Sequence, residues 1–127
     1  PIDVYNHGEH WRDFTYIDDI VDGVISVMKT PPKKNEFGNT SPDRAVAPYK
    51  IYNIGAKDPV HLMTFIDLIE KEMGIKAVKN MLPMQPGDVE TTHADISSLM
   101  KDFNYQPKVK IKEGVELFIN WFKEYQL

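Results

Sequence analysis

Cysteine is absent from the 127 residues. Neither a disulfide framework nor a zinc ribbon can be built, and the redox compartment is left open, because a chain without thiols tolerates either. Long apolar runs are missing too: none approaches the ~20 residues that a membrane-spanning helix needs, and no signal-peptide pattern opens the chain. The seven glycines are scattered and form neither G-x-G-x-x-G nor G-x-x-x-x-G-K-[ST], so a nucleotide-binding glycine loop is lacking. Positive charge is scarce. Fifteen Lys and Arg stand against nineteen Asp and Glu, for a formal charge of −4, which provides no broad field for a phosphate polymer and disfavours non-specific nucleic-acid binding. An initiator Met is missing as well. Pro1-Ile2-Asp3-Val4-Tyr5 reads as the middle of a strand, the expected look of a fragment.

What is present is a globular composition, 42% hydrophobic and 27% charged. A chain of this length makes one domain and buries about two thirds of its unfolded surface. Residues 2–5 and 13–17 are expected to be short strands around the polar turn Asn6-His7-Gly8-Glu9. Ile17, Ile20, Val21, Val24, Val27 and Met28 then fall at helical spacing, with Asp18, Asp19 and Asp22 toward the opposite, solvated side. The helix should end near Lys29, because Pro31-Pro32 cannot continue it. Residues 30–49, rich in Pro and turn formers, predict a long loop that is either mobile or a lid.

Lys50-Ile51-Tyr52-Asn53-Ile54-Gly55 reads as a buried strand. A second helix runs through Leu62, Phe65, Ile66, Ile69 and Met73 to a Gly74 cap. Lys76–Lys79 reads as a further strand, and Leu82–Val89 as irregular. Asp95 is placed to cap a short helix with Ile96, Leu99, Met100 and Phe103 on one face. Ile111, Val115, Phe118, Phe122 and Tyr125 mark a last amphipathic helix. Without internal repeats or low-complexity segments, the expectation is one α/β unit.

Few constellations carry chemistry. Asp18-Asp19-Ile20-Val21-Asp22 matches the diphosphate–magnesium string DDxxD, but no second acidic cluster accompanies it, so a solvated helix face is the expected reading. His7 and His10 flank Glu9 at a spacing interrupted by Gly8 and without a third ligand, so no metal site is expected. His61 and His93 are isolated. Ser26, Ser41, Ser97 and Ser98 lack a nucleophile setting. Arg12 stands out as one of two arginines, beside Trp11 and before an aromatic, β-branched stretch. Its planar fork suits two oxygens of a diphosphate, at about 1.5–3 kcal/mol per charge-assisted pair, while an ion pair with Asp13 or Glu9 is the plainer alternative. Residue chemistry leaves both open.

Arg12-Asp13-Phe14-Thr15-Tyr16-Ile17-Asp18-Asp19-Ile20, Tyr52-Asn53-Ile54-Gly55, Leu82-Pro83-Met84-Gln85-Pro86-Gly87-Asp88-Val89 and His93-Ala94-Asp95-Ile96-Ser97 together resemble, in this order, the C-terminal half of NAD-dependent nucleotide-sugar epimerases. These belong to the extended short-chain dehydrogenase/reductase family, and the likeness is strongest to UDP-glucuronate 4-epimerases. The resemblance implies an α/β fold: a small substrate-binding domain over residues 1–127, with short strands, about four helices and the Rossmann half missing. The family's Tyr-x-x-x-Lys pair is also missing, since no tyrosine here has Lys four residues later.

The resemblance therefore implies that NAD is bound by an N-terminal Rossmann half, that no cofactor is held by this chain and that it is inactive alone. It implies Arg12, Gln85 and Asp88 as substrate-binding residues: Arg12 on the diphosphate of a UDP-sugar, Asp88 near the nucleotide, and Gln85 where many relatives have a second Arg. No metal site or catalytic residue is expected here. Expected partners are the UDP-sugar and the Rossmann half, with a homo-oligomer as an option and neither nucleic acid nor membrane, in the cytoplasm. A related dehydratase or decarboxylase half, or a non-enzymatic interaction module on the same scaffold, is the alternative.

Overall fold

The computed structural model describes residues 1–34 and 41–126. Their elements are β1 (Ile2–Val4), a tight turn at Tyr5–Gly8, β2 (Trp11–Arg12), α1 (Ile17–Lys29), β3 (Val60–His61), α2 (Leu62–Met73), β4 (Lys79–Met81), α3 (Ser97–Phe103) and α4 (Ile111–Gln126). β1 pairs in parallel with β4, Ile2 opposite Lys79, and β2 pairs antiparallel with β3, Trp11 opposite His61. This is the α/β arrangement of short strands and four helices that the sequence led us to expect. None of these helices is long and apolar enough to cross a membrane.

The helices lie where local chemistry puts them. α1 stops at Lys29 before Pro31-Pro32, and α2 ends on Gly74 in the left-handed region at φ 71°, its N–H returned to the carbonyls of Glu70 and Lys71. Asp95 holds the start of α3 by accepting from the backbone N–H of Ser97 at 2.9 Å. The strands fit less well. Residues 13–16 form no strand, which falls earlier, on Trp11–Arg12; the 76–79 strand falls later, on Lys79–Met81. Residues 50–55 are no strand at all: apart from a bridge of Lys50 to Arg44, they join no ladder. Tyr52 and Ile54 nevertheless alternate inward onto the core of Ile96, Leu99 and Tyr105. The alternation was a true packing signal, but a strand also needs a continuous neighbour, and among the described residues only Asp43 and Arg44 lie alongside, at the start of the segment.

α1 reverses the expected amphipathicity. Asp19 and Gly23 are buried and Val27 is half-buried against the rest of the chain, while Ile17, Val21, Val24, Ile25 and Met28 face outward at 42–75% exposure. Asp19, read from sequence as solvated, is 2% exposed and accepts the N–H groups of Lys108 and Val109, each at 3.0 Å. Gly23 sits inward where Ile54 and Tyr105 approach closely: a Cβ there would lie 3.1 and 3.3 Å from them, so a larger residue would require both to give way. α4 is likewise rotated from its expected stripe. Val115 and Ile119 are buried, whereas Phe118, Trp121 and Tyr125 line up as an exposed aromatic row.

α2 buries an acid of its own. Glu70 is 4% exposed and accepts from Lys76 Nζ at 2.5 Å, from Lys79 Nζ and from the N–H of Ala77 at 3.0 Å. These donors, Lys76 first, take its pKa from 4.5 to about 2. A folded pKa below the unfolded one gives stability that is complete above the unfolded value and lost as pH falls toward the folded one. Denaturant unfolding should therefore find Glu70→Gln less stable than the parent at neutral pH, with the gap closing between about pH 4.5 and about pH 2. A gap that does not depend on pH would show that the pairing is not ionic.

Candidate functional site

Two carboxylates fix the backbone around Arg12. The first, Asp13, gathers four N–H groups from distant segments: Ala56 and Asp58 onto Oδ1 at 3.1 and 3.4 Å, Lys57 and Ala94 onto Oδ2, both at 3.3 Å. Gly55 is required beside it, because a Cβ there would lie 2.7 Å from Asp13 Oδ2 and from the methyl of Ala94. The ion pair of Asp13 with Arg12 considered from sequence does not form. The second carboxylate, Asp88, sits on a turn closed by its N–H onto the Gln85 carbonyl at 3.2 Å. Pro86-Gly87 form the corner, with Gly87 at φ 84°.

β2 carries Arg12 between these anchors. Trp11 N–H donates to the Glu90 carbonyl at 2.9 Å and Thr92 N–H to the Trp11 carbonyl at 3.1 Å, which fastens 90–92 along one side of β2 while β3 holds the other. The guanidinium then folds over the 88–90 segment. Nη1 donates to the carbonyls of Trp11 and Glu90, both at 3.0 Å, and Nη2 to that of Val89 at 2.9 Å. Asp88 Oδ1 lies 3.4 Å from Nη2, long for a charge-assisted bond. Strong bonds to fixed carbonyls thus set the plane of the fork, and its carboxylate partner is the loosest contact.

His10 completes the cluster. It is 3% exposed, with Nδ1 3.3 Å from Arg12 Nη2, so Nδ1 accepts and the ring hydrogen is on Nε2. Nε2 lies 3.4 Å from Asp88 Oδ2 outside hydrogen-bonding geometry and has no partner among the described residues. A buried donor left unpaired costs about 1–3 kcal/mol and marks a place where an acceptor fits. Sequence reading passed over His10 as half of an unconvincing metal pair. Its position two residues before Arg12, on the same face of an extended segment, was the available signal.

Of the three expected binding residues, Arg12 and Asp88 come together. Gln85 is exposed, and among the described residues its side chain makes no hydrogen bond. His7 is exposed while His10 is buried, and among the described residues no group of three or more acids and histidines could hold a metal ion. His61 leans on Trp11 and pairs with Glu9 at 3.4 Å, and His93 is exposed. The flanks of the 30–49 loop line a cleft away from Arg12, while 35–40 lie outside the described residues.

Comparison with known proteins adds a likeness to this geometry. The profile of the NAD dependent epimerase/dehydratase family matches residues 1–55. Protein CapI of Staphylococcus aureus is 46% identical over 98% of this chain and 38% of its own length. A protein of Rhizobium meliloti named as a probable UDP-glucuronate 4-epimerase is 40% identical, with the same two coverages of 98% and 38%. The crystal structure of UDP-glucuronic acid 4-epimerase from Bacillus cereus, in complex with UDP-glucuronic acid and NAD, superposes with a TM-score of 0.76 at 30% identity, over 98% of this chain and 35% of that one. The chain thus spans little more than a third of the proteins it matches.

Removing the Asp13 carboxylate would strand four backbone donors. We expect Asp13→Ala to lose about 2–3 kcal/mol in urea unfolding. A loss within the scatter of exposed substitutions would mean that water replaces the carboxylate freely.

Proposed function

We propose that this chain, a segment of the NAD-dependent epimerase/dehydratase family, is the nucleotide-sugar-binding part of a longer NAD-dependent epimerase, with UDP-glucuronate as its substrate. The observation that carries this reading is the Arg12 cradle: a fork held by carbonyls, loosely paired to Asp88 and flanked by the unpaired Nε2–H of His10. A diphosphate needs several donors in one place, and an acidic chain can supply them only locally. An arriving phosphate oxygen displaces Asp88 from Nη2 and meets His10 Nε2–H. The released Asp88 is then free to accept from a sugar hydroxyl of the nucleotide. Gln85, exposed on the same turn, offers an uncharged amide donor. The likeness to proteins named as UDP-glucuronate 4-epimerases supports the choice of sugar.

NAD is not assigned to these residues. No strand among those described runs through a glycine-rich turn into a helix, and the sequence contains no such loop or Tyr-x-x-x-Lys pair. On this reading the cofactor and the proton-transfer groups belong to the remainder of the longer protein. The outward stripe of α1 supports that division. Five large apolar residues on one helix face make a docking surface, and the Rossmann half is the partner that this reading assigns to it. A dehydratase or decarboxylase of a related sugar nucleotide would use the same cradle. Analysis of the product that the intact protein makes from UDP-glucuronate separates the three, because only epimerisation keeps both the carboxylate and the C5–C6 bonding unchanged.

Calorimetric titration with UDP tests the cradle. Arg12→Ala should weaken binding by about 10- to 150-fold, the equivalent of one charge-assisted pair, and Arg12→Lys, which keeps the charge without the fork, should fall between. Because Arg12 also ties down 88–90, melting curves of both variants are needed beside the titration. Unchanged UDP affinity in a folded Arg12→Ala protein would remove Arg12 from the site.

A further inference from the structure

The second arginine of the chain, Arg44, lies in a different setting. A cleft of about 600 Å³ opens between the end of α1, the 44–52 segment and α3, and Lys33, Lys34, Arg44 and Lys50 line it with Tyr49. Among the described residues, its one lining carboxylate is Asp102. Four cations in one cleft of a chain with net charge −4 run against the overall electrostatics. Such a concentration is costly unless anions offset it.

The floor of the cleft is built. Lys50, with its side chain 10% exposed, donates to Asp102 Oδ2 at 2.5 Å, and the Tyr52 hydroxyl donates to the same oxygen at 2.7 Å. The ammonium also stands 4.8 Å from the centre of the Tyr52 ring, so Lys50 is held in place while only part of its donor capacity is spent on a carboxylate. Asp102 is thereby consumed at the floor. Asp43 lies close enough to feel the charges of Lys50 and Arg44, and its carboxylate takes the Ser41 hydroxyl at 2.5 Å. Within the described residues, Lys33, Lys34 and Arg44 make no ion pair. Arg44 is fixed through its backbone, in bridges to Ser41 and Lys50, and is exposed where it lines the cleft.

The Arg12 and Arg44 environments therefore differ in kind. Arg12 is engaged by three carbonyls and a carboxylate, whereas Arg44 and two lysines face an open space above an immobilised third lysine. Excess charge of this size suits a multiply charged anion better than a single carboxylate, and the guanidinium fork suits phosphoryl oxygens. The cleft is too small and the chain too acidic for a nucleic-acid strand. We propose that this cleft is a second anion site, separate from the Arg12 cradle, which takes the oligophosphate group of a small molecule.

Calorimetric titration of the intact protein with inorganic pyrophosphate tests this, in an Arg12→Gln background so that the first site does not contribute. Pyrophosphate should bind, more tightly than orthophosphate and less tightly as salt is raised. Arg44→Gln, and separately Lys33→Gln with Lys34→Gln, should each weaken it by about tenfold or more, as loss of a charge-assisted contact requires. These side chains are exposed, so melting should not change. Absence of pyrophosphate binding, or binding equally tight in both sets of variants, would overturn the proposal. The outcome is independent of the epimerase reading, since UDP binding through Arg12 and pyrophosphate binding through Arg44 can each fail alone.

Discussion

The Asp13 carboxylate is the constraint on which the rest of this structure depends. Strands here are two or three residues long, too short for ladders to position much. What joins 55–58 and the approach to α3 to the strand bearing Arg12 is one side chain that accepts four backbone N–H groups. Asp19 does the same one turn into α1, where it receives the chain as it enters α4. In both cases an acid replaces a ladder: the irregular segment gets acceptors for its donors, and the carboxylate gets donors that compensate for its partial or complete burial. The need for glycine at position 55 follows directly, since Asp13 Oδ2 and the Ala94 methyl occupy the volume of a side chain there.

This mode of assembly explains why the core is modest and divided. Ile96, Leu99 and Tyr105 form one cluster, while Ile66, Val115 and Ile119 are buried along the α2 and α4 helices, with Phe14 stacked on Phe65 nearby. An apolar cavity of about 270 Å³ remains between Phe14, Phe65, Val115 and Phe118. Meanwhile α1 keeps its most hydrophobic stripe outside and its buried acid and glycine inside. The inner face of this helix is held by hydrogen bonds and close approach, and its outer apolar face is the one that the proposed function assigns to docking.

The two arginines show how context sorts a single residue type. Arg12 is drawn into carbonyls that fix its plane, which makes it selective but leaves little unspent charge. Arg44 is anchored through its main chain and is exposed where it lines the cleft. In an acidic chain both arrangements concentrate positive charge locally, which is what the proposed binding of small anions at each requires.

Much of this was legible in the sequence. The ends of α1 and α2 followed from Pro31-Pro32 and Gly74, because caps and proline restrictions act within a few residues, whereas α3 starts one residue later than expected, with Ile96 rather than Asp95 at its cap position. The irregular 82–89 segment followed from its two prolines and glycine, whereas the contact of Arg12 with Asp88 did not, the ion-pair partners considered from sequence being Asp13 and Glu9. Ladders at 13–17 and 50–55 did not, because a strand is defined by a neighbour that its own residues do not encode. The orientation of α1, the burial of His10 and the tasks of Asp13 and Asp19 were decided only by tertiary structure. Their partners are backbone N–H groups up to 90 residues away. Every residue but proline carries that group, so no complementary side chain marks the contact in the sequence.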